Sequence, residues 1–138
     1  MSSTYIPAKL RQLVYERAKG CCEYCLIPEI AVLLSHQIGH IIAEKHSGLT
    51  QADNLALSCA ICNKYKGSDI ASIDLDTNEL AGLFHPRLSV WSTHFQLNNA
   101  HIIPLTANAR VTVKLLQLNR SERIAERQLL IAANLLSV

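Results

Sequence analysis

Two cysteine pairs of identical spacing constrain this chain more than anything else in it. Cys22-Glu23-Tyr24-Cys25 is the first and Cys59-Ala60-Ile61-Cys62 the second. Each two-residue spacer forms a tight knuckle that aims two thiolates at one point. Two knuckles together supply the four sulfur ligands of a tetrahedral zinc. Disulfides would be the competing use of the same residues. Nothing at the start of the chain, Met1-Ser2-Ser3-Thr4-Tyr5, resembles a secretory signal, and no apolar run is long enough to span a membrane, so a cytoplasmic, reducing setting is expected. There, paired cysteines read as metal ligands, Zn2+ above all. The fifth cysteine, Cys21, is spare, because only Cys22 has the knuckle spacing to Cys25.

A four-cysteine zinc is closed and does no chemistry itself, so the segment it staples matters more. His40 lies there in Gly39-His40-Ile41-Ile42, Asn54 in Asp53-Asn54-Leu55, and Asn63 follows the last cysteine. A neutral imidazole can take a proton from water during phosphodiester hydrolysis. Carboxamide oxygens can ligate Mg2+ or another hard cation, and a carboxamide can equally pin a loop or cap a helix. His40 could also be a histidine packed among Ile38, Ile41 and Ile42. Taken together, the set suggests a metal-dependent hydrolase rather than a bare structural finger.

The rest of the chain reads as ordinary globular sequence. Its 138 residues suit one domain, and 49% hydrophobic with 17% charged residues argues against disorder. A net charge of +2 leaves any nucleic-acid surface to be local. Residues 7–19 read as a helix, with Pro7 in its first turn, Leu10, Leu13, Val14 and Arg17 on one face, and Gly20 as C-cap. The apolar runs 30–34 and 38–43 read as two strands, Ser47-Gly48 to Thr50 as a loop, Asp53 as the start of a helical turn, and Cys62 to Lys66 as a helix ended by Gly67. Further on, 74–79 reads as a polar loop and His85-Pro86-Arg87 as extended. Residues 95–97 and 101–103 form a hairpin around Asn98-Asn99. Thr106 caps a helix to about Leu118, and Asn119 with Glu122 forms a capping box opening a last helix to about Leu136. Lys64, Lys66, Arg87 and Arg110 are candidate phosphate contacts. The mixed charges Arg120, Glu122, Arg123, Glu126 and Arg127 suggest an exposed face or a partner helix.

His40-Ile41-Ile42, Ser47-Gly48, Asn54-Leu55, Leu57 through Asn63, and Lys66-Gly67 together resemble the HNH endonucleases with a ββα-metal site, in the branch that carries a four-cysteine zinc and occurs as short stand-alone bacterial proteins. His85-Pro86-Arg87, Trp91 and His94-Phe95 resemble the C-terminal extension of those members. The resemblance implies an α+β fold: a ββα-metal HNH core stapled by a four-cysteine zinc site, an N-terminal helix, and a mixed, largely helical C-terminal extension. The core would cover about 20–70 and the extension about 71–138 of a single domain. It implies a DNA endonuclease with His40, on the second strand, as general base, Asn54 holding the histidine-bearing loop, Asn63 on a catalytic Mg2+ or Mn2+, and Lys64, Lys66 and Arg87 near the nucleic acid.

One position departs from the family. An acidic or similar ligand normally precedes the histidine, and here it is Gly39. The glycine is compatible with a degenerate copy that binds DNA without cutting it, with an introduced inactivating substitution, or with replacement of the ligand by Glu44, His36 or His46. Three functions stay open on the sequence: a nuclease, an inactive zinc-stabilised nucleic-acid-binding module, and a structural zinc domain that assembles through its apolar C-terminus. Sequence preference and oligomeric state are not encoded in any motif.

Overall fold

Helix α1, Ala8–Arg17, starts where Pro7 presets a φ of −57° and ends as Lys19 and Gly20 turn into the left-handed region. The computed structural model describes residues 4–136, so Met1–Ser3 and the last two residues of the apolar C-terminus lie outside it. Val14 is the buried anchor of α1 and packs with Leu55 and Leu57, flanked by Ile6, Leu10 and Ile38. Arg17 extends the same face: its Nη2 donates to the carbonyls of Ala52 (2.7 Å) and Leu55 (2.6 Å). The helix therefore holds the entry to a strand nearly forty residues away in sequence.

That strand is β2, Leu55–Ser58, antiparallel to β1, Gln37–His40, with Gln37 opposite Ser58 and His40 opposite Leu55. Helix α2, Ala60–Lys66, follows directly, with Cys59 as N-cap: its Sγ accepts the Cys62 amide at 3.3 Å. Two expectations change here. Residues 30–34 are not a strand. Pro28 leads into a single 3-10 turn, Glu29–Ala31, and Ile30, Leu33 and Leu34 lie exposed. The partner that 38–43 needed is instead β2, whose four residues are all buried, so no polar–apolar alternation announces it. His40 consequently ends the first strand of the pair, not the second. The strand stops there because the Ile41 amide bonds Asn54 O and the Ile42 amide bonds the Asn54 side chain, outside the ladder.

The extension adds two hairpins and three helices. Strands β3, Ala71–Asp74, and β4, Glu79–Gly82, enclose the expected polar loop as their turn. Asp74 organises that turn and also takes both Nε and Nη2 of Arg110 at 2.9 and 2.8 Å. His85–Arg87 is a turn rather than an extended segment. The His85 carbonyl accepts from Leu88 and Ser89, its Nδ1 accepts the Arg87 amide, and Pro86 has the φ that such a turn requires. After α3, Trp91–His94, strands β5, Phe95–Asn98, and β6, His101–Pro104, form the expected hairpin, with the left-handed pair one residue later at Asn99-Ala100. Thr106 caps α4, Ala107–Leu116, as expected.

Asn119 caps nothing. Its carboxamide takes the Ile102 amide and donates to the Ile102 carbonyl, both at 2.9 Å, so α5, Ser121–Ala132, begins without a side-chain cap and ends short of Leu136. Nor is α5 merely an exposed charged helix. Arg123 and Arg127 are 4% and 2% exposed, and Arg127 donates to the carbonyls of Ala100 and Leu118. One apolar cluster joins the cysteines to Phe84, Phe95, Ile102, Leu116 and Leu130, with Phe84 and Phe95 edge to face at 5.3 Å. No described helix is long and apolar enough to cross a membrane.

Candidate functional site

The four cysteine sulfurs lie within 4.8 Å of one another, all buried and none in a disulfide. Each knuckle is closed by an amide on sulfur: Cys25 N on Cys22 Sγ at 3.4 Å and Cys62 N on Cys59 Sγ at 3.3 Å. Cys25 and Cys59, from different knuckles, are 3.6 Å apart at sulfur. A regular tetrahedron of four thiolates with Zn–S near 2.3 Å has sulfurs about 3.8 Å apart, so the cluster fits a structural zinc in both chemistry and dimensions.

The zinc frame extends beyond its knuckles. Arg123 Nη2 lies 3.0 Å from Cys62 Sγ and 3.7 Å from Cys59 Sγ, while Nη1 donates to the carbonyls of Leu116 and Gln117. Burial works against the guanidinium charge, but the surrounding thiolates outweigh it and hold Arg123 above its ordinary pKa. A zinc held by four thiolates would carry two net negative charges, and Arg123 is placed to offset one of them. No motif pointed to this arginine; its spacing matched a surface helix. On the other knuckle, Trp91 Nε1 donates to Tyr24 O at 2.9 Å. Glu23 accepts the Leu57 amide and forms an ion pair with Arg87. Arg87 is thereby committed to the frame.

A cleft of about 1080 Å³ opens between β1 and α2, lined among others by Gln37, Gly39, His40, Ser58, Asn63 and Lys66. His40 is 9% exposed, with its Nε2 2.8 Å from Thr50 Oγ1. The other ring nitrogen, Nδ1, has no hydrogen-bond partner among the described residues and is not sealed from solvent. Asn54 stands behind the histidine rather than in the cleft. Its Oδ1 accepts the Ile42 amide, and its Nδ2 donates to the carbonyls of Ile42 and Leu49, all at 2.9 Å. Gly48 closes that loop: a Cβ there would sit 1.7 Å from Ile42 O, so only glycine fits.

Asn63 reaches across to β1. Its Nδ2 donates to Gln37 Oε1, and a Cβ built on Gly39 would come 3.1 Å from its Oδ1, with nothing else within 4 Å. Position 39 thus faces Asn63 over a hollow that a side chain would fill. The donors around the hollow are neutral oxygens, which suit a hard divalent cation in type but bring no carboxylate. Of the three residues that could replace the missing ligand, Glu44 and His36 border the cleft and His46 is exposed in the turn Glu44–His46. His36 already uses Nε2 on Ile27 O at 2.8 Å, and Glu44 accepts Thr4 Oγ1 at 2.6 Å.

The candidate phosphate contacts divide sharply. Lys64 is exposed beside the Tyr65 ring. Lys66 is buried, donating to Ile41 O at 2.9 Å and reaching His40 O at 3.4 Å, and burial lowers its pKa to about 8. Arg110 is held by Asp74. Exposed Arg11 and Lys45 do border the cleft, and no local pattern marked them.

Two antiparallel strands, the helix that follows them and a histidine at the end of the first strand form a ββα core. Residues 22–69, from the first knuckle to just past α2, match the family model of HNH endonuclease. The four buried cysteines within that segment are consistent with the zinc-type branch of the family. Neither the curated proteins nor the solved structures yield a match.

Proposed function

We propose that this protein is a DNA endonuclease that hydrolyses phosphodiester bonds in the cleft between β1 and α2. The observation that supports this most directly is the convergence of His40, Asn63 and the hollow over Gly39 on one open cleft within the HNH segment. In the tautomer whose Nε2–H donates to Thr50 Oγ1, Nδ1 carries the imidazole lone pair and would take the proton from the attacking water. That oxygen attacks phosphorus, and the bond to the leaving alkoxide breaks. Asn54 acts only by fixing the loop behind His40. Asn63 would hold Mg2+ or Mn2+, which when bound supplies charge neutralisation at the scissile phosphate. Arg11, Lys45 and Lys64 are the exposed cations placed to meet DNA backbone; Lys66 and Arg87 serve the fold first. The four-cysteine zinc is structural in this reading. A cytoplasmic setting is part of this reading, and the apolar cluster shared by the cysteines and the extension supports a single domain.

Gly39 favours a second reading, an inactive zinc-stabilised nucleic-acid-binding module, because the position facing Asn63 brings no ligand of its own. Supercoiled plasmid with Mn2+ or Mg2+ separates the two. Nicking by the natural chain, lost in His40→Ala, supports the enzyme. Nicking only by Gly39→Glu supports the relic. If neither cuts, and His40→Ala makes no difference, the nuclease reading fails.

A further inference from the structure

We propose that Gln37 supplies the cation ligand that Gly39 lacks, so that Gln37 and Asn63 form a paired-carboxamide site for a hard divalent cation. The proposal rests on the nuclease reading for its catalytic meaning but not for the binding itself. In a pleated strand, residues two apart share a face. Gln37 and Gly39 therefore both look from β1 toward α2, and Asn63 is the residue of α2 that both meet. Gln37 has the longer arm. Its carboxamide already reaches Asn63, where Nδ2–H donates to Gln37 Oε1. The first atom of any side chain at position 39 would come within 3.1 Å of the same Asn63 carboxamide. No Gln37 atom lies within 4 Å of that first atom, so the two positions converge at the Asn63 carboxamide rather than at the strand, Gln37 on its Nδ2 and position 39 on its Oδ1.

One hydrogen bond joins the two carboxamides, from Asn63 Nδ2 to Gln37 Oε1. Gln37 Oε1 already lies against the Asn63 carboxamide, and Asn63 Oδ1 borders the hollow over Gly39. A cation in that hollow is offered two neutral oxygens, with water completing its shell. Mg2+ and Mn2+ accept that donor type, and the absence of a carboxylate makes the site weak. The other side chains raised as substitutes are less well placed. His36 Nε2 is committed to Ile27 O while its Nδ1 is buried without a hydrogen-bond partner among the described residues, Asn63 included, and Glu44 is engaged by Thr4 Oγ1, whereas Gln37 already touches Asn63.

The experiment is an Mn2+ titration of the zinc-loaded full chain, followed by electron paramagnetic resonance, with plasmid cleavage run in parallel. The variants are Gln37→Ala, Gln37→Met, which keeps the arm without its oxygen, and Gln37→Ala combined with Gly39→Asp. Zinc content reports folding in each. Both single variants are expected to lose about tenfold or more in Mn2+ affinity, and Gly39→Asp is expected to restore it. Mn2+ binding unchanged in Gln37→Met overturns the proposal, as does a natural chain that takes up no Mn2+. If Gln37→Met loses Mn2+ while no variant nicks DNA, the cation site stands and the nuclease reading falls.

Discussion

Asn54 and Ile42 are locked in both directions: the asparagine Oδ1 takes the Ile42 amide and its Nδ2 gives to the Ile42 carbonyl, each at 2.9 Å. With the third bond to Leu49 O, one buried side chain replaces the ladder that β1 abandons after His40. Asn54→Ala should therefore destabilise the fold by roughly 3 kcal/mol. Asn54→Asp should be no better, since a carboxylate would face two carbonyls. Urea unfolding of the two variants checks this, and a cost below about 1 kcal/mol for alanine would contradict the pinning role.

Gly48 is needed for space rather than for flexibility. A methyl group there meets Ile42 O at 1.7 Å and Asn54 Nδ2 at 2.9 Å, so Gly48→Ala must displace backbone. The expected loss is about 3 kcal/mol or more, and a nuclear magnetic resonance spectrum should show the largest shifts at Ile42 and Asn54. Wild-type stability in this variant would show that the loop closes differently.

Arg123 should govern how firmly zinc is held, because it donates to Cys62 Sγ and sits near Cys59 Sγ from inside the protein. Arg123→Met removes the side-chain partner of the Leu116 carbonyl and leaves the thiolates uncompensated, while the Gln117 carbonyl keeps the Arg120 amide. Zinc transfer to a chromophoric chelator should accelerate about tenfold, and complete removal of zinc should lower the melting temperature of the natural chain sharply. An unchanged transfer rate would reduce Arg123 to a packing residue.

Lys66 should make stability rise with pH in mildly alkaline solution. Burial lowers its folded pKa to about 8, against 10.5 when unfolded. Between those values the unfolded chain binds the extra proton, so the penalty is fully present below pH 8 and fades as pH climbs toward 10.5. From about pH 7.5 to about 9.5 the gain should be roughly 2 kcal/mol in urea unfolding, and Lys66→Met should lose this slope. An identical slope in both proteins would assign the effect elsewhere.

The knuckles, the helix after them and the helix before them were readable because each depends on neighbours in sequence: a two-residue spacer, an N-cap, a terminal glycine. The 95–103 hairpin and the Thr106 cap were readable for the same reason. Strand β2 was hidden because full burial erased its alternation, and the run 30–34 misled because apolar composition alone does not provide a pairing partner. Asn119 and Arg123 were misassigned for one cause. Local spacing offered a capping box and a charged surface, whereas Ile102 and the cysteine sulfurs, distant in sequence, took those side chains instead.

By itself, then, the order of residues determined the two cysteine knuckles, the candidate histidine and asparagine set, and the lack of a side chain at position 39, since these depend on residue identity and short spacing. Tertiary structure alone decided that His40 ends the first strand, that Lys66 and Arg87 are spent inside the fold, and that Gln37 reaches Asn63 over Gly39. Those outcomes turn on which groups meet across strands and helices, and burial makes each such meeting exclusive: a desolvated cation or carboxamide must bond to whatever the fold brings beside it.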